Sequence, residues 1–433
     1  MSFQVFVAVA GFVGLFALMA LRVPIGVAMG IVGVLGFGSL TSMGPALNLL
    51  AQSPLRVVTD WDLAIIPMFI LMGAFATASG MSRELFEASN AWLGHRRGGL
   101  AMATVTACAG FAAINGSSVA TAATMTNVAL PEMRKAGYHP GIATGVIAAG
   151  GTLGIMIPPS VMFAIYGVLT EQDISRLLIA GVIPGLLGAL LYIAAVQAVG
   201  IYDPASMPRG RRAAWSERFA SLKPIWAVLL LFAFVMGGMY GGLFTATEGA
   251  AMGAGGAFLI GLARRRLTVV SVMECLVDSV RTTAAIFTIV IGAFLFGYFL
   301  VITQSTQNFS AFLLSLPLGP YGILALILLM YILLGAIMDE LAMVLLTVPI
   351  IFPVILSLGF DPIWFGVIIV MVCVLGMILP PIGMNVFVIN SIARDVPLQT
   401  IYKGVMPFIV VDLVRLVLLV VFPSLSLFLP SRM

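Results

Sequence analysis

Charged residues are scarce in this sequence. Asp, Glu, Lys and Arg together make up only 9% of its 433 residues, whereas a soluble domain carries about 25%. Hydrophobic residues account for 61%, and the mean hydropathy is +1.15. A soluble globular fold is therefore excluded, and the composition predicts a polytopic membrane protein. We expect no nucleic-acid surface, because the basic residues follow loop positions instead of forming a patch.

Histidine and cysteine are also rare, with two and three copies. The cysteines show no metal-ligand spacing, so we expect neither a disulfide framework nor a transition-metal site. The sequence has no His-Glu-x-x-His segment and no Walker A segment, which are two common signatures of hydrolytic chemistry and nucleotide binding. We therefore predict that the protein is not an enzyme. A membrane-embedded enzyme and a channel or scaffold subunit stay open as alternatives.

Two consecutive prolines interrupt an apolar segment at two places, Pro158-Pro159 and Pro380-Pro381. Proline has no N–H group, so it cannot bond to the carbonyl four residues earlier. In a membrane such a break is tolerated only where protein or a water-filled cavity satisfies the carbonyl groups. The carbonyls that we expect to be free belong to Gly154, Ile155, Gly376 and Met377.

The two breaks lie 222 residues apart, and the same offset relates other residues in order. Pro131 matches Pro353, and Asp173 matches Asp395. An ordered series of matches at one offset indicates a tandem duplication. We predict a first repeat at 1–200, a basic cytoplasmic linker at 201–223 and a second repeat at 224–433.

A membrane crossing needs about 20 apolar residues, and each half provides five such segments, of which the fourth is broken by the prolines. An extra apolar segment of about 30 residues precedes each broken helix and is too short to cross twice, so it predicts a re-entrant helical hairpin. The hairpins are predicted at 100–131 and 321–356, the broken helices at 141–170 and 363–392, the other crossings at 3–21, 23–41, 62–80, 177–200, 224–240, 247–263, 282–302 and 405–428, and amphipathic interfacial helices at 81–97 and 268–281.

The basic residues divide unevenly between the two sides that these crossings define. Seventeen Lys and Arg lie on one side and three on the other, with Arg415 inside a crossing. The positive-inside rule makes the basic side cytoplasmic and places both termini in the periplasm. Because five is odd, the second half is inverted relative to the first. The predicted fold is therefore an all-α polytopic membrane protein with two inverted-topology repeats, which is typical of secondary transporters.

The hairpin tips carry polar residues. Asn115-Gly-Ser-Ser118 forms the first tip, and the 222 offset places Asp339-Glu340 in the second. Carboxylates at membrane depth are functional candidates, although a helix cap is the alternative for both tips. Oxygen ligands suit Na⁺, so we predict two related cation sites, one in each repeat. The predicted Na⁺ ligands come from Asn115, Gly116, Ser117, Gly154, Ile155, Pro158, Asp339, Gly376, Met377 and Pro380.

We expect the substrate to lie next to these cations. Thr124 and Thr152 are further candidates, with bonds to their own helix as the alternative. Glu248 suits either transport or a helix cap, and Asp412 with Arg415 suits an ion pair that faces protein. The predicted substrate-binding residues are Ser118, Thr121, Pro159, Ser160, Glu340, Pro381, Gly383 and Asn385.

Four segments together resemble the large membrane subunit, the DctM-like permease, of tripartite ATP-independent periplasmic (TRAP) transporters. The resemblance covers nearly the whole chain, and its segments are Asn115–Thr124, Gly151–Ser160, Phe244–Glu248 and Met338–Glu340.

This resemblance implies a transporter of the bacterial inner membrane that is driven by Na⁺ and needs no other cofactor. It implies an elevator mechanism, similar to that of the ion-transporter superfamily, and substrates that are small organic anions such as C4-dicarboxylates or sialic acids. It also implies two partners, a small membrane subunit of four helices and a periplasmic substrate-binding protein.

Overall fold

The computed structural model describes residues 3–433, which form α-helices, two short 3₁₀ helices and no β-strand. The first half contains α1 (Phe3–Ala20), α2 (Ile25–Leu40), α3 (Met43–Thr59), α4 (Ile65–Ala78), α5 (Met81–Leu93), α6 (Gly99–Asn115), α7 (Ser118–Lys135), α8 (Pro140–Met156), α9 (Val161–Thr170), α10 (Ile174–Ala180) and α11 (Val182–Tyr202). The second contains α12 (Trp215–Leu222), α13 (Trp226–Tyr240), α14 (Ala246–Ala263), α15 (Val269–Ile302), α16 (Ser305–Leu314), α17 (Pro320–Gly335), α18 (Glu340–Ser357), α19 (Pro362–Gly376), α20 (Met384–Ile392), α21 (Leu398–Val421) and α22 (Ser424–Leu427).

The apolar helices are long enough for a membrane. Five of them are candidate spans, and the number reaches eight if each bent pair is counted as one span. The outward face of α1 leaves large apolar side chains uncovered, such as Phe3 and Phe6, which are 64% and 60% exposed. Large apolar side chains on the outer surface of a protein are stable only against lipid or against a partner protein. The structure therefore agrees with an all-helical, multi-pass membrane protein.

Both helical hairpins and both broken helices are present. α6 and α7 form the first hairpin, and α17 and α18 form the second. Their arms have 16 to 18 residues, so they are slightly longer than the sequence suggested. α8 and α9 are separated by the first Pro-Pro pair and bend by 41°. The second pair separates α19 from α20, and both Pro-Pro peptide bonds are cis.

Two helices, α3 in the first half and α15 in the second, differ from the prediction. Each lies between the second crossing and the hairpin of its half. α3 was not predicted, because Asn48, Gln52 and Arg56 lower its hydropathy. A boundary was predicted between 268–281 and 282–302, whereas α15 is one helix of 34 residues. The helix has no Gly or Pro before Gly292, so nothing in it favours a break. At the corresponding place in the first half, the chain bends by 62° between α3 and α4.

Glycines bring two pairs of helices into close contact outside the hairpins. α2 packs against α15, and a Cβ atom at Gly26 would lie 2.6 Å from the carbonyl oxygen of Thr288. α14 packs against α4, and a Cβ atom at Gly253 would lie 2.5 Å from the sulfur of Met72. Two helices can approach each other this closely only where small residues such as glycine lie at the contact. These four helices form a frame, which we call the scaffold, beside the hairpins and the broken helices.

The broken helices lie at the centre of the remaining helices. α19 is buried along its whole length, and α8 from Ala143 onward. The predicted ion pair is present beside them, with Arg415 Nη2 3.0 Å from Asp412 Oδ1 and both side chains fully buried. Tyr192 donates its hydroxyl hydrogen to Asp412 Oδ2 at 2.5 Å, and Thr152 Oγ1 lies 3.1 Å from the same hydroxyl. The hydrogen bond from Tyr192 to Asp412 therefore joins the two halves of the chain.

Candidate cation and substrate sites

The first hairpin tip is a tight turn between α6 and α7. Gly116 ends α6 with φ 65°, a left-handed conformation that favours glycine. A Cβ atom there would also lie 2.7 Å from the carbonyl oxygen of Pro159. Ser117 then begins α7 as its N-cap, with its hydroxyl oxygen accepting from the amide of Ala120 at 3.3 Å. The turn therefore holds the tip against the first broken helix.

The polar side chains of the first tip bond to one another. Asn115 Nδ2 donates to the carbonyl of Ser117 at 3.2 Å and to Thr121 Oγ1 at 3.1 Å. The hydroxyl of Thr121 donates to the same carbonyl at 2.7 Å. The other side of the Asn115 amide faces the scaffold, where a Cβ atom at Gly73 would clash with its Oδ1. Hydrogen bonds thus fix the oxygens of this tip in place.

Gly154 lies directly against the first tip. A Cβ atom at this position would be 2.5 Å from the Ser117 carbonyl oxygen and 2.8 Å from Thr121 Oγ1. Its own carbonyl accepts no hydrogen bond within residues 3–433, as predicted. The carbonyl of Ile155 is not free, because the Ser160 hydroxyl donates to it at 2.6 Å. The prediction was therefore wrong for Ile155, and Ser160 uses its hydrogen to close the break.

Asn385 reaches the first tip from the second half of the chain. Its Nδ2 donates to Ser118 Oγ at 2.8 Å and to the carbonyl of Ala148 at 3.1 Å. Its Oδ1 is buried and has no hydrogen-bond partner among the described residues. From the sequence, Asn385 was a candidate located in the second half of the chain. The structure places it with Ser118 beside the first broken helix.

The second tip is acidic. Asp339 is the N-cap of α18, with Oδ1 accepting from the amide of Ala342 at 3.0 Å. The alternative role of Asp339, a helix cap, is therefore confirmed, and this cap uses one of the two carboxylate oxygens. A cavity of about 30 Å³ adjoins the tip. It is lined by Gly335, Ile337, Met338, Asp339, Glu340, Met343, Cys373, Gly376, Met377, Ile382, Gly383 and Met384.

The second break contacts its tip through backbone. A Cβ atom at Gly376 would lie 2.8 Å from the Gly335 carbonyl, and the Gly376 carbonyl itself accepts no hydrogen bond from the described residues. The carbonyl of Met377 is not free, since the amide of Asn385 donates to it at 3.1 Å. The carbonyl of Pro381, a predicted substrate ligand, likewise accepts from the Tyr402 hydroxyl at 2.9 Å. The prediction of free carbonyls was therefore right for Gly376 and wrong for Met377.

Two other candidates, Thr152 and Glu248, form bonds to neighbouring residues of their own helices. Thr152 Oγ1 donates to the carbonyl of Ala149 at 2.6 Å, so it faces away from the first tip. Glu248 forms a capping box with Thr245, in which Glu248 Oε2 accepts from the Thr245 amide at 2.9 Å. The helix-cap interpretation of Glu248 is therefore confirmed. Pro158 and Pro380 occupy the breaks themselves, and the only group that each can offer to a cation is its carbonyl oxygen.

An exposed ion pair joins the end of the first hairpin to the second half. Arg134, in the last turn of α7, donates to Asp395 Oδ1 at 2.9 Å. This hydrogen bond holds the pKa of the Asp395 carboxyl below its usual value. Both side chains are solvent-accessible, and exposed pairs contribute little free energy. The pair therefore marks a contact between the two halves of the chain and is not a major source of their association.

A larger cavity of about 760 Å³ lies between the two tips and α15. Asn115 and Ser117 line it from the first tip, and Glu340 and Leu341 line it from the second. Its third wall was not predicted from the sequence and is formed by polar residues of α15 at helical spacing. The helical spacing of these polar residues in the sequence could have identified the wall. The residues are Ser271, Glu274, Cys275, Asp278, Ser279 and Thr282.

Comparisons with known proteins agree on one family. The family model of the "Tripartite ATP-independent periplasmic transporter, DctM component" matches residues 12–425. A C4-dicarboxylate TRAP transporter large permease protein of Pseudomonas aeruginosa is 36% identical over 373 residues, covering 86% of each chain. A sialic acid TRAP transporter large permease protein of Vibrio cholerae is 32% identical over 419 residues, covering 96% of this chain and 97% of the other.

A solved structure has a related fold. The Alcanivorax borkumensis YdaH transporter aligns with a TM-score of 0.61 over 88% of this chain and 89% of its own. The two sequences are only 15% identical, so this likeness concerns the arrangement of the helices alone.

Proposed function

The chain belongs to the DctM family of large permease components of TRAP transporters, and from this premise we propose that it performs Na⁺-coupled uptake of a small carboxylate-bearing solute. The relatives are transporter permeases and not enzymes, which disfavours the enzyme alternative. The family implies a multi-pass protein of the bacterial inner membrane. We further propose that both termini are periplasmic, as the distribution of Lys and Arg predicts.

One observation carries the proposal of Na⁺ coupling. Each broken helix has a carbonyl that accepts no hydrogen bond among the described residues, at Gly154 and at Gly376, and each of these glycines contacts a hairpin. A buried carbonyl without a donor is unfavourable by several kcal/mol, on the order of 2–7. A cation removes that penalty, and Na⁺ prefers oxygen ligands. The two sites would differ in charge, because only the second tip has carboxylates.

The large cavity is the proposed place of the solute. It opens between both tips, so a bound solute would contact both of them. α7 begins at this cavity, and the N-terminus of a helix favours negatively charged groups. The relatives are named for the transport of C4-dicarboxylates and of sialic acid, which are small acids. These features support a carboxylate on the transported solute.

We propose an elevator mechanism in which the hairpins and broken helices move together. The moving body would contain α6 to α9 and α17 to α20, which pack against one another across the repeats. It would slide along the scaffold, which touches the first tip at Gly73 and borders the cavity through α15. The two repeats, in inverted orientation, would then expose the cavity first to one side of the membrane and then to the other.

Two partners complete this proposal, a small four-helix membrane subunit and a periplasmic substrate-binding protein. Family membership implies both, and one relative of this chain is a permease protein named DctMQ, of which this chain covers 65%. The exposed apolar faces of α1 and of the scaffold helices are available for a membrane partner. The binding protein would deliver the solute to the periplasmic face.

The test is uptake into proteoliposomes that contain the chain with its small subunit. A solute bound by the partner binding protein should accumulate only when external Na⁺ exceeds internal Na⁺ and the binding protein is present. A K⁺ gradient of equal size is the control. Accumulation without a Na⁺ gradient would contradict Na⁺ coupling. Solute flow that does not saturate would favour the channel alternative, and uptake without the binding protein would remove that partner.

A further inference from the structure

We propose that the transported solute is a zwitterion, in which a cationic nitrogen accompanies the carboxylate. This inference rests on the proposed transport function and specifies its substrate class. Its basis is the set of charges and unpaired polar groups that line the cavity of about 760 Å³ between the tips and α15.

The charged side chains that line this cavity all have one sign. Glu274 and Asp278 lie on α15, and Glu340 lies at the second tip, whereas none of the described residues in the lining is Lys, Arg or His. The basic residue nearest in sequence is Arg281, whose Nη1 is 3.9 Å from Asp278 Oδ1. Its side chain is 80% exposed and does not line the cavity. A dianionic solute would therefore meet three carboxylates and no basic side chain in the described lining of the cavity.

The opposite wall suits a carboxylate. α7 begins at the first tip, and the amides of Ser118 and Val119 donate to no acceptor within residues 3–433. The following amides are already used, because Ala120 bonds to the Ser117 hydroxyl and Thr121 bonds to the Ser117 carbonyl. Two free N–H groups at the positive end of an 18-residue helix form a favourable environment for an anion. Val119 itself lines the cavity.

A buried hydroxyl on α15 gives an independent indication of a ligand. Ser279 is only 6% exposed, lines the cavity, and has no hydrogen-bond partner for its Oγ among the described residues. Buried polar atoms are almost always paired, so a group from the solute is the natural partner. Ser279 lies next to Asp278 and one turn from Cys275 on the same wall. Its hydroxyl oxygen can accept from an ammonium group that the carboxylates of the same wall attract.

The two walls of the cavity therefore favour opposite charges on the solute. The N-terminus of α7 would hold the carboxylate, and the α15 wall, with Glu274, Asp278 and Ser279, would hold the cationic nitrogen. A solute with both groups places each of its charges beside a wall of opposite charge. Amino acids, betaines and cyclic amidines with a carboxylate belong to this class, whereas simple dicarboxylates do not.

The experiment starts from the binding protein that serves this transporter. Its thermal stability would be measured with two panels, dicarboxylates such as succinate and malate, and zwitterions such as 4-aminobutanoate, glycine betaine and aspartate. The best compound would then be used in Na⁺-driven uptake by the full complex. The tested chains are wild type, Glu274→Gln/Asp278→Asn, the conservative Glu274→Asp/Asp278→Glu, and Glu87→Gln as a control with an exposed carboxylate outside the cavity.

We expect a zwitterion to stabilise the binding protein and to drive uptake. The neutral double variant should raise the KM for that zwitterion at least tenfold, the conservative variant should recover most of the loss, and the control should stay within twofold. Na⁺-driven uptake of a solute without a cationic nitrogen, or an unchanged KM in the neutral variant, would overturn the zwitterion inference and leave the proposed function intact. If no compound is taken up with Na⁺, both proposals fail.

Discussion

The first and second hairpin tips lie in different halves of the chain, at positions 222 residues apart, and differ in chemistry. The first is neutral, and its amide and hydroxyl groups bond to one another and to Asn385 from the other half. The second carries Asp339 and Glu340, and its side-chain bond within the chain is a helix cap. A cation at the first tip would meet preorganised neutral oxygens. A cation at the second would also neutralise buried negative charge, so that tip should depend more strongly on Na⁺.

The two breaks are also held by different bonds. At the first, Thr152 is linked through Tyr192 to the buried pair of Asp412 and Arg415. At the second, the Tyr402 hydroxyl contacts the carbonyls of Pro381 and Ile382 at 2.9 and 2.7 Å. A buried network of charged groups holds one geometry, because a change in that geometry leaves a buried charge or polar group unpaired. We infer that the first break is the more rigid of the two.

The largest effect is expected where the breaks are alike. Gly154→Ala would place a Cβ atom 2.5 Å from the Ser117 carbonyl, and Gly376→Ala would place one 2.8 Å from the Gly335 backbone. Both changes should lower Na⁺-driven uptake by about 100-fold or more, because about 3 kcal/mol of backbone clash is typical of overpacking. Gly255→Ala, with no atom within 4 Å of the new Cβ, is the matched control. Normal uptake in either break variant would show that its tip is not packed as described.

A second change tests the contact between the first tip and the scaffold. Gly73→Ala would bring a Cβ atom into Asn115 Oδ1 and within 3.1 Å of its Cα. In an elevator this contact exists in one state only, so the variant should favour the other state. We expect about tenfold slower uptake, with the chain still stably folded. Crosslinking between cysteines placed near positions 73 and 115 would report the shift. Unaltered crosslinking and uptake would show that this contact does not change during transport.

The hydrogen bonds that hold the two breaks should differ in how much they stabilise the protein, and this effect is smaller than the two above. Tyr192→Phe leaves Asp412 Oδ2 and Thr152 without their shared partner inside the protein, which costs about 1–3 kcal/mol. Tyr402→Phe removes a bond at a more accessible position and should cost about 1 kcal/mol. The melting temperature of the purified chain in detergent should therefore fall further for Tyr192→Phe. Equal losses would remove the asymmetry between the breaks.

Much of this arrangement was predictable, because the features that define it are local. Proline chemistry identified both breaks, and the 222 offset alone related the two tips to each other. The free carbonyls of Gly154 and Gly376 also followed from proline alone. The donors to Ile155 and Met377 did not follow, because Ser160 and Asn385 reach them only after the chain folds back at the break.

The remaining errors also have physical causes. A hydropathy criterion rejected α3, whose polar residues lie on one side of an amphipathic helix. The same criterion cut α15 at the point where its polar wall ends, although its backbone continues without a helix-breaking residue. The cavity wall at Glu274 and Asp278 was missed for this reason. Asn385 at the first tip is a long-range contact between halves, which no local pattern specifies.

The smallest of the expected mutational effects concerns the first tip. Ser117→Ala removes the N-cap of α7, a loss of about 1 kcal/mol, and should raise the Na⁺ concentration for half-maximal uptake by about fivefold. Its position is neutral, so no charge changes. Thr126→Ala, in the same helix but bonded only to the carbonyl of Ala122, is the control. No shift for Ser117→Ala relative to this control would separate the first tip from Na⁺ binding.

We propose that two cation sites of unlike chemistry act together, and the dependence of the initial uptake rate on Na⁺ concentration is the sharpest test of this. Wild type should give a sigmoidal curve with a Hill coefficient above 1, because both sites must fill. Asp339→Asn keeps the shape of the tip and removes its charge, so the coefficient should fall towards 1 while uptake stays Na⁺-dependent through the first tip. A curve for wild type that is already hyperbolic, or one that Asp339→Asn leaves unchanged, would contradict the claim.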